Sequence, residues 1–232
     1  MSIKFAGKEV SSIVFDFDGT LYSHEELQDK IWEEPRKKIV RKIFENRGVK
    51  DFTPDEFNQL LEDYIGRAKK VGWDRAFLDL GGDINDYYEI TGAASKAEFL
   101  EYDEQLVLLL TDIIKQVPIY IFTGSNREIV LKALEVLIGD LWLYFEKSML
   151  AFDDMKIGRK PNENAYQEMI DVFGVDPDKT VFVDDQRVEV DSATSFGMIT
   201  FLVREESKEM MMGPHVVLKS IFQLTDHLEI IA

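Results

Sequence analysis

The sequence has no cysteine and only three histidines among its 232 residues. The lack of cysteine excludes disulfide bonds, thiolate zinc sites and cysteine nucleophiles. His24, His215 and His227 lie too far apart in the chain to favour a metal site built from imidazoles. Zinc sites of the usual kinds are therefore not expected in this chain.

Positive charge and long apolar runs are also scarce. Lys and Arg number 27 against 44 Asp and Glu, which gives a formal net charge of -17. A field of this sign repels nucleic acids and anionic lipids, so binding to a nucleic acid polymer or to a membrane surface is not expected. No apolar run approaches the ~18 residues of a membrane-spanning helix, and the N-terminal segment lacks the apolar stretch of a signal peptide. We expect a soluble, cytoplasmic protein.

What the sequence does contain is typical of a globular α/β protein. Hydrophobic residues make up 45% and charged residues 31%, and the length allows one large domain or two smaller ones. Residues 12–15 predict a strand buried on both faces, because β-branched and aromatic residues follow one another there. After about residue 103, strands alternate with helical periodicity, which favours a Rossmann-like, doubly wound parallel sheet with helices on both faces. The later strands are predicted at 118–122, 141–145, 180–183, 199–203 and 216–218.

The segment that follows the first strand has a different pattern, rich in charge and in helical periodicity, with few strand signals. Residues 53–56 (TPDE) combine a cap residue, a proline at the first helical position and an acid three residues after the cap, which predicts the start of a helix. Residues 95–98 form a second, weaker pattern of this kind. The predicted domains are an α/β core at 1–21 and 103–232 and an all-helical insertion at 22–102.

Polar side chains follow three predicted strands at the point where each strand ends. The motif DFDGT at 16–20 follows the first strand, TGSN at 123–126 follows the second, and Asp184 and Asp185 follow the strand at 180–183. Sites in an open parallel sheet form outside the carboxyl ends of its strands. With Lys160, which precedes a predicted helix, these groups are compatible with one magnesium ion and one phosphoryl group.

A carboxylate in such a set can attack phosphorus and form an aspartyl-phosphate. An anionic nucleophile about 4 Å from a dianionic phosphate costs roughly 8 kcal/mol at an effective dielectric constant of about 20. A magnesium ion held by oxygen ligands offsets this cost and bridges the phosphate to the nucleophile. Asp16, Asp184 and Asp185 supply such ligands, and Mg²⁺ is therefore the expected cofactor.

The other polar groups have complementary roles in this hypothesis. Asp18 lies two residues beyond Asp16 and shares its face if the strand continues, which would place it to protonate the leaving oxygen and later to deprotonate water. Gly19 permits the turn that takes the chain out of the sheet. Thr123 and the amides that begin the next helix can hold phosphate oxygens, and Lys160 can neutralise their charge.

The four segments resemble, in order, the motifs of the haloacid dehalogenase (HAD) superfamily of phosphotransferases. DFDGT at 16–20 looks like the first motif and Thr123 in FTGSN like the second. Lys160 in RKPNENAY looks like the third, and VFVDDQRVEVDSATSFGM at 181–198 like the fourth. The resemblance implies that the first aspartate of DFDGT is the nucleophile and the second the acid and base. It also implies a magnesium ion bound by the first aspartate, the main-chain carbonyl of the second and acids of the fourth motif, and a helical cap that selects the substrate.

The assigned residues fall into three overlapping groups. Catalysis is assigned to Asp16, Asp18, Thr123 and Lys160. Substrate binding is assigned to Thr20, Thr123, Gly124, Ser125 and Lys160. Metal binding is assigned to Asp16, Asp18, Asp184 and Asp185. Many relatives carry Asn or Asp where Glu189 stands, and which of Asp184, Asp185 and Glu189 contact the metal directly is left open.

Two features bear on the substrate. The stretches 81–92 and 100–110, with the paired acids of the fourth motif, are similar to pyrimidine 5′-nucleotidase-type members of the superfamily, which makes a nucleoside monophosphate the leading substrate. Five aromatic residues of the helical segment either line a pocket for that substrate or pack in the core, and the core is favoured for most of them: Tyr22, Trp32, Trp73, Tyr87 and Tyr88.

The predicted function is magnesium-dependent hydrolysis of a small organic phosphate monoester through a phospho-Asp16 intermediate. The alternatives are a phosphomutase of the same fold, which returns the phosphoryl group to a sugar, and a non-catalytic HAD-like binding module. A dehalogenase is disfavoured because that branch lacks an acid where Asp18 stands. The expected partner is a small phosphorylated metabolite, and the expected assembly is a monomer or a homodimer.

Overall fold

The computed structural model describes residues 2–22, 25–204 and 215–231. Its strands, in chain order, are β1 (Ser2–Phe5), β2 (Lys8–Val10), β3 (Ser12–Phe15), β4 (Ile119–Phe122), β5 (Met149–Leu150), β6 (Thr180–Asp184), β7 (Ile199–Val203), β8 (Val216–Leu218) and β9 (Glu229–Ile231). Its helices are α1 (Glu25–Asn46), α2 (Pro54–Val71), α3 (Trp73–Asp79), α4 (Ile84–Gly92), α5 (Glu104–Ile114), α6 (Arg127–Ile138), α7 (Trp142–Phe145), α8 (Glu163–Phe173), α9 (Arg187–Ser195) and α10 (Leu224–His227). Short 3₁₀ turns lie at Ala97–Phe99, Gly139–Leu141, Pro177–Lys179 and Ile221–Gln223.

The central sheet has six parallel strands in the order β5-β4-β3-β6-β7-β8. Successive residues of β3 face opposite sides, and both sides are covered. Ile13 and Phe15 pack in the cluster that contains α5 and α6, whereas Val14 packs in the cluster that contains α8 and α9. A strand buried on both faces needs a continuous apolar run, which is the pattern of β3. The predicted doubly wound, Rossmann-like α/β fold is confirmed.

The strand order reverses direction next to β3. The chain leaves β3 toward β4 and β5 on one side and later returns to β6, β7 and β8 on the other. In open α/β sheets, the crevice at the carboxyl ends of the strands on either side of such a switch point is where ligands bind. The fold therefore places the ends of β3 and β6 at its natural binding crevice.

A second, three-stranded antiparallel sheet (β2-β1-β9) was not predicted from the sequence. Its strands have three or four residues each, too few to give a clear alternating pattern. Ala6 and Gly7 connect β1 to β2 with φ angles of 47° and 80°. Two positive φ angles are what a two-residue hairpin loop requires, and glycine adopts them without strain.

Helices α1 to α4 lie between β3 and β4 and have an apolar cluster of their own, which includes Ile43, Tyr64 and Phe77. Thr53 and Glu56 form the predicted capping box at the start of α2. The described residues of this segment therefore form helices around a separate small core, and the division into domains at 22–102 stays a prediction. No helix in the described ranges combines the length and apolar character that crossing a membrane requires.

The prediction of a strand at 141–145 was wrong. The segment forms a 3₁₀ turn and then α7, in which Phe145 is buried while Leu143 is exposed. Short apolar runs fit a strand or a helix equally well, because periodicity needs more residues to decide between them. The edge strand is instead β5, whose two residues gave no sequence signal.

Candidate active site

The polar residues at the strand ends meet at the switch point. Asp16 follows β3, Asp184 ends β6 and Thr123 follows β4, and all three side chains are buried. Because β4, β3 and β6 are parallel neighbours, their carboxyl ends lie side by side at one edge of the sheet. The distances among these groups decide whether they form one site.

Lys160 joins the strand ends. Its Nζ lies 2.8 Å from Asp16 Oδ1 and 2.8 Å from Asp184 Oδ2, and it also donates to the carbonyl oxygen of Phe122 at 3.2 Å. The Oε2 atom of Glu189, on α9, lies 4.0 Å from the same nitrogen and accepts a hydrogen bond from the Tyr166 hydroxyl at 2.5 Å. The ammonium group is thus held by groups from three strand ends and one helix.

Three carboxylates form a compact group beside this lysine. Asp16, Asp184 and Asp185 each offer an oxygen atom, and these atoms lie within 4.8 Å of one another. Gly19 lies against the group, since a Cβ atom at its position would be 2.5 Å from Asp185 Oδ2. Its φ of 81° also favours glycine. Glycine at this position therefore leaves room for the Asp185 carboxylate.

The site holds more carboxyl groups than positively charged groups, and their pKa values are shifted accordingly. Burial raises the pKa of Asp16 well above its usual range; the Lys160 ammonium opposes this rise, and Asp184 and Asp185 add to it. Burial and Asp184 also raise the pKa of Asp185 well above its usual range. Burial raises the pKa of Glu189 to about 7 despite the opposing Lys160. Burial alone would lower the pKa of Lys160, but the carboxylates of Asp16 and Asp184 hold it well above its usual range. The carboxylates outnumber the cations that stabilise them.

These residues fit a divalent cation with oxygen ligands. The Oδ1 atom of Asp185 is buried and has no side-chain or main-chain partner within hydrogen-bond distance among the described residues, which leaves it available to a ligand. Carboxylate oxygens are the ligands that Mg²⁺ prefers. Glu189 is engaged by Tyr166 and lies outside the group of three. The observed group thus favours Asp16, Asp184 and Asp185 as candidate ligands.

Asp18 points to a different set of partners. Beyond Phe15 the chain leaves the strand, and the Asp18 side chain does not join the three carboxylates. Its Oδ1 atom accepts a hydrogen bond from the Tyr22 hydroxyl, and its Oδ2 atom accepts one from Ser125 Oγ at 2.5 Å. The predicted metal contact of Asp18 is through its main-chain carbonyl, and it stays a prediction.

The predicted phosphate-binding residues line the same crevice. Thr123 Oγ1 accepts a hydrogen bond from the amide of Ser125 at 3.1 Å, which shapes the loop around Gly124. Thr20 Oγ1 is buried and has no partner among the described residues, so it is available to a ligand. The Asn126 amide at the start of α6 is not available, because it donates to the carbonyl oxygen of Gly92 at 3.0 Å. The hydroxyls of Thr20 and Thr123 are therefore candidates for binding phosphate oxygens, whereas the Asn126 amide is already hydrogen-bonded.

Sequence reasoning missed Lys96. The pattern at 95–98 predicts a helix start, but only the 3₁₀ turn Ala97–Phe99 follows, and Lys96, which precedes that turn, makes no side-chain cap hydrogen bond. Its side chain is fully buried, with Nζ 2.5 Å from Ser125 Oγ and 3.2 Å from Asp18 Oδ2. A lysine in a polar segment is usually solvated, so no signal in the sequence distinguishes this one.

Most of the aromatic residues pack in apolar clusters, as favoured, and Tyr22 and Trp32 pack in the main cluster of the sheet. Trp73 and Tyr87 pack with the apolar cluster of the helical segment. Tyr22 contacts Asp18, the Trp32 ring centre lies 5.9 Å from Lys96 Nζ, and the Tyr88 hydroxyl donates to the carbonyl oxygen of Lys160 at 2.9 Å. Three of the five therefore contact residues of the candidate site.

Comparisons with known proteins agree with this geometry. The family model of haloacid dehalogenase-like hydrolases matches residues 10–197. Enolase-phosphatase E1 of Aquifex aeolicus is 25% identical over 206 residues, which cover 82% of this chain and 87% of that protein. Enolase-phosphatase E1 of Persephonella marina is 23% identical over 235 residues, covering 94% of this chain and 99% of that protein.

Solved structures show the same fold. A HAD phosphatase from Thermococcus onnurineus matches with a TM-score of 0.59 at 18% identity, covering 94% of this chain and 97% of that chain. A putative HAD-hydrolase from Bacillus subtilis bound to magnesium matches with a TM-score of 0.57 at 14% identity, covering 94% and 98%. The predicted resemblance and the prediction of a hydrolytic enzyme are confirmed. Four motifs at one edge of a doubly wound sheet, and a family match over most of the chain, establish that this chain belongs to the haloacid dehalogenase-like hydrolases.

Proposed function

We propose that this protein is a magnesium-dependent phosphatase that hydrolyses a small organic phosphate monoester through a phospho-Asp16 intermediate. The observation that supports it best is the position of Lys160, whose ammonium lies 2.8 Å from both Asp16 and Asp184, beside the group of three carboxylates. A nucleophilic carboxylate, a cation and ligands for a metal are what phosphoryl transfer to an aspartate requires.

In the first step, a carboxylate oxygen of Asp16 attacks the phosphorus atom of the substrate. The bond between phosphorus and the leaving oxygen breaks, and Asp18 gives its proton to that oxygen as an alcohol departs. Lys160 neutralises charge on the phosphoryl oxygens, while Thr20 and Thr123 donate hydrogen bonds to them. The products of this step are phospho-Asp16, an ionised Asp18 and an alcohol.

In the second step, Asp18 accepts a proton from water, and the water oxygen attacks the phosphorus atom of phospho-Asp16. The bond between phosphorus and Asp16 breaks, which releases inorganic phosphate and restores both aspartates to their starting states. Asp16, Asp184, Asp185 and the main-chain carbonyl of Asp18 would hold a magnesium ion, which would supply positive charge to offset the repulsion between phosphate and nucleophile.

We propose that the helical segment at 22–102 acts as a cap that selects the substrate. Its residues contact the site through the Tyr88 hydroxyl, which donates to the main-chain carbonyl oxygen of Lys160, and through Gly92, whose carbonyl oxygen accepts from the Asn126 amide. A small metabolite enclosed by such a cap suits an acidic protein better than a polyanion does. Action in the cytoplasm, as a monomer or a homodimer, is part of the same proposal.

To identify the substrate class, a panel of phosphorylated metabolites is assayed with Mg²⁺, and release of inorganic phosphate is measured. The panel includes nucleoside monophosphates, as predicted, and sugar phosphates, because a phosphomutase would convert these without releasing phosphate. Since the relatives are named enolase-phosphatases, it also includes phosphate esters that carry a carbonyl group, with enolisation measured separately.

The mechanism is tested with an aryl phosphate and the variant Asp16→Asn. We expect the wild type to release phosphate and Asp16→Asn to release none while it stays folded. Phosphate release by the variant at the wild-type rate would exclude Asp16 as the nucleophile. Absence of turnover on every ester in the panel would favour the non-catalytic alternative.

A further inference from the structure

We propose that Lys96 is a positioning residue that holds Asp18 ready for proton transfer. This inference rests on the proposed function, because it gives a role to a residue that acts on the predicted acid and base. Lys96 lies between α4 and the 3₁₀ turn at Ala97–Phe99, where the chain returns from the helical segment to the sheet. Neither the motifs nor the family match identifies this lysine.

The burial of Lys96 is the first argument. Its side chain has no exposed surface, and burying an ammonium is unfavourable unless the charge is paired and hydrogen-bonded. Its described partners are Asp18 Oδ2 at 3.2 Å, Ser125 Oγ at 2.5 Å and the face of the Trp32 ring. Asp18 is the acid among these partners, and it balances the charge of Lys96 whenever it is ionised, as it is between the two proposed steps.

The arrangement of donors around Asp18 is the second argument. Lys96 Nζ donates to Ser125 Oγ, which in turn donates to Asp18 Oδ2, while the Tyr22 hydroxyl binds Asp18 Oδ1. Both carboxylate oxygens are engaged, so the side chain is held in one orientation. Lys96 supplies the charged end of this chain of hydrogen bonds.

The origin of these donors is the third argument. Tyr22 lies where the chain leaves the sheet toward the helical segment, and Lys96 lies where it returns. Ser125 belongs to the loop after β4. Asp18 is thus held by both connections to the helical segment as well as by the sheet, and its position depends on how that segment is seated.

The experiment compares two substrates whose need for an acid differs. An aryl phosphate with a good leaving group transfers its phosphoryl group without protonation, whereas an alkyl phosphate needs the proton of Asp18. The value of kcat/KM reports the steps up to phosphoryl transfer. For Lys96→Met, we expect kcat/KM for the alkyl phosphate to fall by about 10- to 100-fold, with that for the aryl phosphate changing less than about threefold.

The matched control is Lys132→Met, which removes a lysine that also pairs with a carboxylate, Glu128 at 2.7 Å, but is largely exposed. It should change neither value. Equal losses on both substrates for Lys96→Met would mean that Lys96 only supports the fold, and unchanged values on both would mean that it does nothing; either result overturns the proposal. Should Lys96→Met fail to fold, Lys96→Gln keeps a donor, lacks the charge and is read in the same way.

A crystal structure of the Lys96 variant separates this proposal from the proposed function. We expect the Asp18 carboxylate to turn away from Ser125 when the ammonium is absent. Asp18 in an unchanged position would overturn the positioning role even if the wild type hydrolyses phosphate esters. Conversely, an inactive wild type contradicts the proposed function, while the orientation of Asp18 still decides whether Lys96 positions it.

Discussion

The sheet edge and the helical segment each deliver one buried lysine to the site. Lys160 comes from the loop between β5 and α8 and contacts Asp16 and Asp184. Lys96 comes from the returning connection of the helical segment and contacts Asp18. In the proposed mechanism the two lysines divide the site, because Lys160 would serve the nucleophile and the metal ligands whereas Lys96 would serve the acid and base.

Under the proposed mechanism, this division makes the two halves of the reaction depend on different parts of the chain. Attack on phosphorus would depend on strand ends that the sheet fixes in place. Proton transfer would depend on a side chain that the helical segment helps to hold. Changes at the sheet edge should therefore affect every substrate, and changes in the helical segment should affect substrates selectively.

Removal of magnesium should have the largest effect, because without the ion the three carboxylates at the sheet edge would repel the phosphate of every substrate. With a strong chelator, hydrolysis of an aryl phosphate should fall to background and return when Mg²⁺ is added. Mg²⁺ should also stabilise the folded chain against heat, by about 2.7 kcal/mol at a concentration of 100 times Kd. Asp185→Asn should weaken this stabilisation, and full activity in chelator would contradict a metal role.

Lys160→Met should have the next largest effect. We expect kcat/KM to fall by about 10²- to 10³-fold on aryl and alkyl phosphates alike, because the charge on the phosphoryl oxygens loses its stabilisation. Leaving Asp16 and Asp184 without their cation should also lower the free energy of unfolding by about 3–5 kcal/mol. A loss confined to the alkyl phosphate would break the comparison, because Lys160 would then act as Lys96 is expected to.

Gly19→Ala should have a smaller effect that is specific to the metal. The new Cβ atom would lie 2.5 Å from Asp185 Oδ2, so the carboxylate must move. We expect the Mg²⁺ concentration for half-maximal activity to rise. Gly7→Ala is the matched control, because φ is 80° there against 81° at Gly19 and no atom lies within 4 Å of the new methyl group. The positive φ should cost each variant about 1–2 kcal/mol of stability. Gly19→Ala should lose more because of the clash with Asp185, and only Gly19→Ala should alter the need for Mg²⁺.

Thr53→Ala should have the smallest effect and tests the helical segment by itself. It removes the capping box of α2, which should lower stability by about 1 kcal/mol, measured by urea unfolding. Hydrolysis of the aryl phosphate should stay at the wild-type rate, because the sheet edge is unchanged. Loss of that activity in a folded variant would show that phosphoryl transfer at the sheet edge also depends on the stability of the helical segment.

The sheet and its acids could be predicted because their signals are local. The apolar run of β3 is contiguous and ends in the motif at 16–20, and the paired acids follow β6 directly. Parallel strands then bring those ends together by topology alone. The capping box at Thr53 was equally readable, since its two partners lie three residues apart.

The rest depends on contacts between distant parts of the chain. Lys96 and Ser125 are 29 residues apart, and a sequence that resembles a helix start gives no sign that the lysine is buried. The strand expected at 141–145 is a helix, because the apolar run there is too short to show its period. The partners of Asp18 were hidden for the same reason, since they come from three separate segments.

The end of α4 limits how the helical segment can be exchanged between relatives. A Cβ atom at Gly92 would lie 2.8 Å from Asn126 Oδ1, and the carbonyl oxygen of Gly92 accepts a hydrogen bond from the amide of Asn126, the residue that precedes α6. A grafted helical segment with a residue larger than glycine at position 92 would displace the loop that carries Asn126 in the recipient protein. Chimaeras built to change specificity should therefore retain the recipient's junction from Gly92 through Lys96 and replace only the helices before it.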